Sequence, residues 1–459
     1  MSFTSWYNRS LNKIWGFVED RTGMRKWALR PQPEFTFKPS YWTGAFVAIA
    51  FLYQVVSGML LLLYYQPSVA VTSTACGLGT NLAPAAWCST YYIINSVPMG
   101  SLLLSTHLYG AYAMIFLLFV HFFRGYYLGV YKKPREFSWM VGSLLMFVTL
   151  GMGFTGYLLP YTALSYQATF VGINLTTSLT IPLPGGIVIN AGQLIGPFLL
   201  ADGTAQGLLS RMFVAHVLLI PLALGALLYA HIGLFESHGI APPATSDPLQ
   251  RRRFTAKEDE KHVPFMPHIL FYMAKWGLLY VGVLLAIAAL WPWQLLTWYG
   301  PGQPVPTFII PDWYFLWLFK VLDFQGITPV IAVTFATVIA LYVLFVPFLD
   351  RSHRTHPRDR PVFVYIGTCL LQLFIILSVW GQETPSQQIL PAQIAWTLGP
   401  MFAVNAVVIT ALHLRYRANY RRRLDRQKAT YLGVYSTSDP APIASRSPGV
   451  TASEVSSSE

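Results

Sequence analysis

Charge is what this chain of 459 residues has least of: only 11% of its residues are Asp, Glu, Lys or Arg. A soluble domain is about one-quarter charged, so most of this chain does not face water. Cysteine is also scarce. There are three, Cys76, Cys88 and Cys369, and no CxxCH run, which argues against covalently attached c-type haem. Acids are outnumbered by bases, 19 to 31. The resulting +12 charge is no nucleic-acid signal, because its distribution follows a membrane rule.

What the chain does have is long apolar runs. Uncharged stretches able to span about 30 Å of hydrocarbon occur near 41–65, 101–123, 138–160, 212–235, 276–299, 326–349, 361–381 and 393–412. They predict an all-α integral membrane protein with eight transmembrane helices. The first run starts after some 40 polar and mixed residues, too late for a cleavable signal peptide. The loops alternate in basic content. Residues 1–40 hold seven Lys and Arg, 124–137 four, 246–262 five and 350–360 four. Residues 66–100, 161–205 and 382–392 hold none, and 292–325 only Lys320. The positive-inside rule then puts both termini in the cytoplasm, with the chain in the plasma membrane. The even number of helices agrees.

Residues 101 to 124, SLLLSTHLYGAYAMIFLLFVHFFR, carry no charge before Arg124 and hold His107 and His121. On a helix their 14-residue gap means about 21 Å of rise and about 40° of rotation. The run 212–235 holds His216 and His231, 15 apart, or about 22 Å and about 60°. A lone histidine in a membrane helix is as often a buried polar group bonded to a neighbour as a ligand. Two helices with nearly equal spacings are much harder to obtain by chance. The pattern predicts a bundle of the first four helices holding two b-type haems, each ligated by one histidine from each helix. By the topology, His107 pairs with His216 on the outer haem iron and His121 with His231 on the inner one.

Gly44 and Gly58 in the first run, and Gly142 and Gly156 in the third, are also 14 apart. Glycine admits close approach to the backbone, which suits two flat macrocycles passing these helices; small-residue helix packing is the competing reading. Arg124, one turn beyond His121, is either a haem-propionate partner or an ordinary positive-inside flank. Pro221 is expected to kink the fourth helix. Trp6, Trp15 and Trp27 suit a membrane interface. Cys76 and Cys88 share the first outer loop, where an oxidising compartment can join them, whereas Cys369 reads as packing. The outer loop 161–205 is long, which favours a function. On the same outer side, the segment PDWY, Pro311 to Tyr314, sets an acid among aromatics. Asp312 there is either a proton acceptor with a raised pKa or a turn former.

From about residue 30 to 415 the chain resembles cytochrome b, the haem-and-quinone subunit of bc-type complexes. HFFRGYYLGVYKKPRE from His121, GYLLPY from Gly156, RMFVAH ending at His216, VPFMP from Val263 and PDWY resemble family motifs in the family's order. The resemblance implies a quinol:electron-acceptor oxidoreductase that contributes to the proton-motive force. Quinol is oxidised at an outer site by Asp312 with Tyr157 and Tyr314 as neighbours, and electrons cross two non-covalent haems to an inner quinone site. The implied partners are a Rieske iron–sulfur protein, a c-type cytochrome or other acceptor subunit, membrane lipid and a second copy in a homodimeric complex.

The chain also departs from the pattern. PDWY replaces PEWY, Tyr161 stands for Trp and Leu104 for an Arg near the outer haem. Glu236 and Met273 replace His and Asp at the inner site, where Glu236, His238 and Lys275 are the substitutes. The domains expected are an amphipathic segment 1–40, a dihaem domain 41–240, a cytoplasmic connector 241–268, a four-helix domain 269–415 with the PDWY loop, and a disordered tail 416–459. Two other functions compete: a dihaem anchor for a dehydrogenase, which leaves PDWY unexplained, and a transporter with histidine proton relays.

Overall fold

The computed structural model describes residues 36–72, 83–178, 203–241 and 262–436, with shorter stretches before and between them. Among these residues eight helices are long and apolar enough to cross a membrane. They are α1 (Thr43–Leu62), α3 (Gly100–Tyr127), α4 (Glu136–Tyr157), α6 (Ala205–His238), α7 (Phe265–Leu290), α9 (Pro329–Leu349), α10 (Pro361–Glu383) and α11 (Pro391–Ser436). Three shorter helices lie in connections: α2 (Ala85–Asn95), α5 (Ala163–Thr177) and α8 (Leu316–Leu322). In hydrocarbon every backbone amide must bond within its own segment, so the long apolar runs become helices. Their outward faces stay apolar, as Leu52, Tyr229 and Leu278 show.

The segment ends follow local chemistry. At α5, Thr162 Oγ1 accepts from the Ser165 amide, and Ser165 Oγ accepts from the Thr162 amide. At α9, Thr328 caps Ile331 with Pro329 in the first turn. The fifth span differs from the 276–299 expectation, running Phe265–Leu290. Pro292 cannot continue the helix, and Lys275 is tolerated inside it because a long cationic side chain can reach toward the headgroups. The last helix runs on to Ser436, where the sequence reading has a tail from 416. The basic stretch after His413 contains no proline to stop it. Trp6, Trp15, Trp27 and residues 437–459 lie outside the described residues.

The first four spans form two tight pairs, α1 on α3 and α4 on α6. α7 leans on α3 and α1, while α10 packs between α8 and α11. At one end of the bundle the connections interlock. The Ala163 amide donates to the Thr297 carbonyl at 2.8 Å, and Tyr299 stacks on Tyr166 with ring centres 3.7 Å apart. Cys76 and Cys88 are bonded there, beside Trp87. Lys320, the one base of residues 292–325, is fully buried on Asp323 and Thr384, so it is not a surface charge. At the opposite end Asp350 receives Lys132, Arg360 and Tyr131 at 2.7, 3.0 and 2.8 Å. This buried cluster ties the α3–α4 loop to the α9–α10 loop.

Candidate haem and quinol sites

The two helix pairs bring the four histidines together. His107 on α3 and His216 on α6 face each other with ring centres 6.4 Å apart. An imidazole reaches about 1.1 Å from ring centre to Nε2, and a metal–imidazole bond is about 2 Å. Two such arms span about 6.2 Å, so the separation fits one metal ion held by both rings. His121 and His231 are close enough to act on each other electrostatically.

The 15-residue gap on α6 needs no mismatch in direction. Residues Ala215–Leu219 form a π-helical turn in which the Ile220 amide donates to the Ala215 carbonyl. A π turn absorbs one extra residue. The gap from His216 to His231 therefore counts as about 14 α-helical positions, or about 40° rather than about 60°, the same as on α3. Pro221, expected as a kink, directly follows this turn.

Each glycine of the two spaced pairs meets one imidazole. A Cβ on Gly44, Gly58, Gly142 or Gly156 would stand 2.9, 3.2, 3.0 or 2.5 Å from Cε1 of His121, His107, His231 or His216 respectively. Three of the four are preceded by a hydroxyl that reaches the same ring. Thr43 Oγ1 and Ser57 Oγ lie 2.9 Å from Nδ1 of His121 and His107, and Thr155 Oγ1 lies 3.3 Å from Nδ1 of His216. Ser57 donates its own proton to the Tyr53 carbonyl at 2.8 Å, so it accepts from His107 Nδ1–H. That tautomer leaves Nε2 free for iron. Val141 precedes Gly142 and offers no hydroxyl; the His231 ring bonds the Ser138 backbone instead.

Two half-buried arginines bracket the histidines. Arg124 Nε has no partner, and its guanidinium lies 4.7 Å over the Tyr41 ring. It lines a cavity of about 640 Å³ with Lys38, His356 and Arg358. Arg211 Nη1, five residues before His216, is likewise buried and unpartnered. Leu104 is buried in an apolar cluster with Leu61 and Ile93, away from any charge role. Each of these arginines, near one histidine pair, has a buried N–H with no hydrogen-bond partner among the described residues, which suits a carboxylate-bearing cofactor.

Asp312 sits within the His107 end of the bundle. Its Oδ1 accepts from Tyr112 at 2.6 Å and its Oδ2 from Tyr314 at 2.7 Å. Burial pushes the Asp312 carboxyl above the usual carboxylate range, and the two phenol bonds pull it part of the way back. Tyr314 is held well above its ordinary value by burial and by the Asp312 charge. A Cβ on Gly153 would lie 2.5 Å from the Tyr314 hydroxyl. Gly153 is three residues, about 4.5 Å of helix rise, from the glycine facing His216. Tyr157 bonds the Ile310 carbonyl at 3.2 Å and not the acid itself. Asp312 also closes a turn, its carbonyl accepting from the Phe315 amide at 2.9 Å. Tyr161 holds positive φ of 53° and is buried among Tyr166 and Tyr299.

Of the residues expected at an inner quinone site, Glu236, His238 and Lys275 line neither the cavity at Arg124 nor the apolar one at Trp276 and Tyr280. Glu236 is exposed, and His238 Nδ1 folds back to the Leu234 carbonyl at 2.8 Å. Lys275 lies 5.4 and 5.2 Å over the rings of Tyr272 and Trp276. Sequence reasoning missed Tyr112, Arg211 and the three hydroxyls. A hydroxyl directly before three of the four spaced glycines was the one signal available for the last of these.

Residues 112–298 match the family model described as cytochrome b(N-terminal)/b6/petB, and residues 302–399 the one described as cytochrome b(C-terminal)/b6/petD. Cytochrome b of Sulfolobus acidocaldarius is 35% identical over 417 residues, 85% of this chain and 70% of that one. The menaquinol:cytochrome c reductase cytochrome b subunit of Bacillus subtilis is 36% identical, over 51% of this chain and 99% of its own. A solved structure described as a hyperthermophilic respiratory Complex III matches with a TM-score of 0.68 and 26% identity, covering 87% of this chain and 98% of that one. With both halves of the fold in one polypeptide, the chain belongs to the cytochrome b family.

Proposed function

We propose that the chain is the catalytic membrane subunit of a quinol:electron-acceptor oxidoreductase of the bc type. Two b-type haems, when bound, carry single electrons across the membrane between a quinol site and a quinone site. His107 and His216 would hold the outer haem, and His121 and His231 the inner one. Arg211 and Arg124 would bind their carboxylates. Gly44, Gly58, Gly142 and Gly156 keep the imidazoles close to α1 and α4.

Asp312 is the residue that would take a proton from bound quinol. Its raised pKa brings it nearer to the value suited to a general base. Tyr157 and Tyr314 line the same place. On the other side, Lys275 above Tyr272 and Trp276 is the cationic element of a quinone site, with Glu236 and His238 at the end of α6. The chain sits in the plasma membrane with both termini in the cytoplasm. It works with a Rieske protein and a c-type cytochrome or other acceptor, in a homodimeric complex surrounded by lipid.

The observation that carries this reading is the double phenol clamp on Asp312, one of whose phenols, Tyr112, lies five positions past His107 on α3. A plain dihaem anchor has no use for it. Asp312→Asn keeps the turn but cannot take a proton. The variant should keep both haems and lose about 10²-fold or more in quinol oxidation. Wild-type rates across pH would show Asp312 to be structural. A reduced-minus-oxidised spectrum without haem bands would turn the reading to transport.

A further inference from the structure

The Asp312 carboxylate is held from two sides of unequal kind. Tyr314 comes from its own turn, two residues on. Tyr112 comes from α3, 200 residues away, five positions past His107. Five residues turn a helix by about 140° beyond one full revolution. Tyr112 and His107 therefore leave α3 on different faces, and Tyr112 is free to point at the PDWY loop. Its ring stands 6.4 Å from those of both Tyr109 and Tyr314.

We propose that Tyr112 is a positioning residue for the outer acid: its hydroxyl holds Asp312 as a carboxylate, turned toward α3, ready to receive the quinol proton. The proposal rests on the reading of Asp312 as that acceptor. An Asp is one methylene shorter than the Glu of the family's usual motif, so a partner must come to it. Tyr112 does so at 2.6 Å. A phenol can only donate to an ionised carboxylate, so this bond favours the charged form. The other titratable groups facing Asp312 are Tyr314 on its own turn and Tyr157 on α4. No cation among the described residues acts on it. Tyr112 and Tyr314 thus supply the hydrogen bonds that oppose desolvation.

The sign follows directly. Asp312 accepts a proton only when ionised, so quinol oxidation rises with pH through its pKa. Without the Tyr112 hydroxyl that pKa rises further. A hydrogen bond to a charged group is worth a shift of about one to two pH units.

Tyr112→Phe in the purified complex should move the acidic limb of the quinol-oxidation profile up by about one to two pH units. The rate at the alkaline plateau should stay within about threefold, with haem content normal by pyridine hemochrome. Tyr109→Phe, whose hydroxyl bonds the Trp291 carbonyl instead, should leave the limb in place. An unshifted limb in Tyr112→Phe, while Asp312→Asn is slow, overturns the inference and leaves the reading of Asp312 intact. Wild-type activity of Asp312→Asn overturns both. Equal shifts in the Tyr112 and Tyr109 variants also overturn the inference, since packing of the aromatic cluster would then account for them.

Discussion

Gly156 lies so close to His216 that a Cβ built on it would stand 2.5 Å from Cε1 of the imidazole. Gly58 leaves His107 more room, at 3.2 Å. The difference ranks the two glycines that serve one histidine pair. Gly156→Ala should displace the His216 ring and lose most of one haem. Gly58→Ala needs a shift of only a few tenths of an ångström and should keep it. Haem-to-protein ratios from pyridine hemochrome measure both. Equal, full occupancy in the two variants would contradict the ranking.

Single His→Ala variants should each remove one haem. His107 and His216 should remove the same one, and His121 and His231 the other, as read from redox titration of the remaining band. Each should also lower thermal stability, because a cofactor bound only by the folded state stabilises it by mass action. Two haems left in all four variants would dismiss the ligand assignment.

Asp350 pairs with both buried Lys132 and buried Arg360. Burial acts to raise its carboxyl, but bonds from Lys132 and Tyr131 and the Lys132 charge outweigh that and hold it below the usual range. Asp350→Asn removes the carboxylate charge that two buried cations share and should cost about 3–5 kcal/mol. Its stabilisation is present above the ordinary carboxylate pKa and is lost as pH falls through the lowered folded value. Arg354→Gln, removing an ion pair whose arginine is 49% exposed, should cost under about 1 kcal/mol. Thermal unfolding followed by haem absorbance, at neutral and acid pH, compares them.

The topology is open to a direct test. An epitope inserted beside the exposed Gly302 should be reached by antibody on intact cells, and one fused after Glu459 only after lysis. Thiol labelling is the poorer probe, because Cys76 and Cys88 are 4% and 0% exposed. Labelling of the C-terminal epitope on intact cells would reverse the orientation.

How much was legible depended on distance along the chain. The histidine and glycine spacings could be read because one helix's rise and rotation are set locally. The eight spans could be read because lipid demands long apolar runs. The end of α7 at Leu290 was missed because apolar residues continue past it, and only Pro292 marks the break. The π turn at Ala215–Leu219 was missed because nothing in AHVLL announces it.

By itself the sequence determined that this is a membrane bundle with two histidine levels and an acid among aromatics at one end. Each of those statements concerns residues on one helix or one loop. Tertiary structure alone decided that Tyr112 reaches Asp312, that each spaced glycine faces one imidazole, and that Lys132 and Arg360 share Asp350. Apart from Asp350 and Arg360, which are ten residues apart, these contacts join positions 49 to more than 200 residues apart, and they depend on how each helix is turned about its own axis against its neighbours. That rotation is set by the packing of many side chains at once, which no single stretch of the chain encodes.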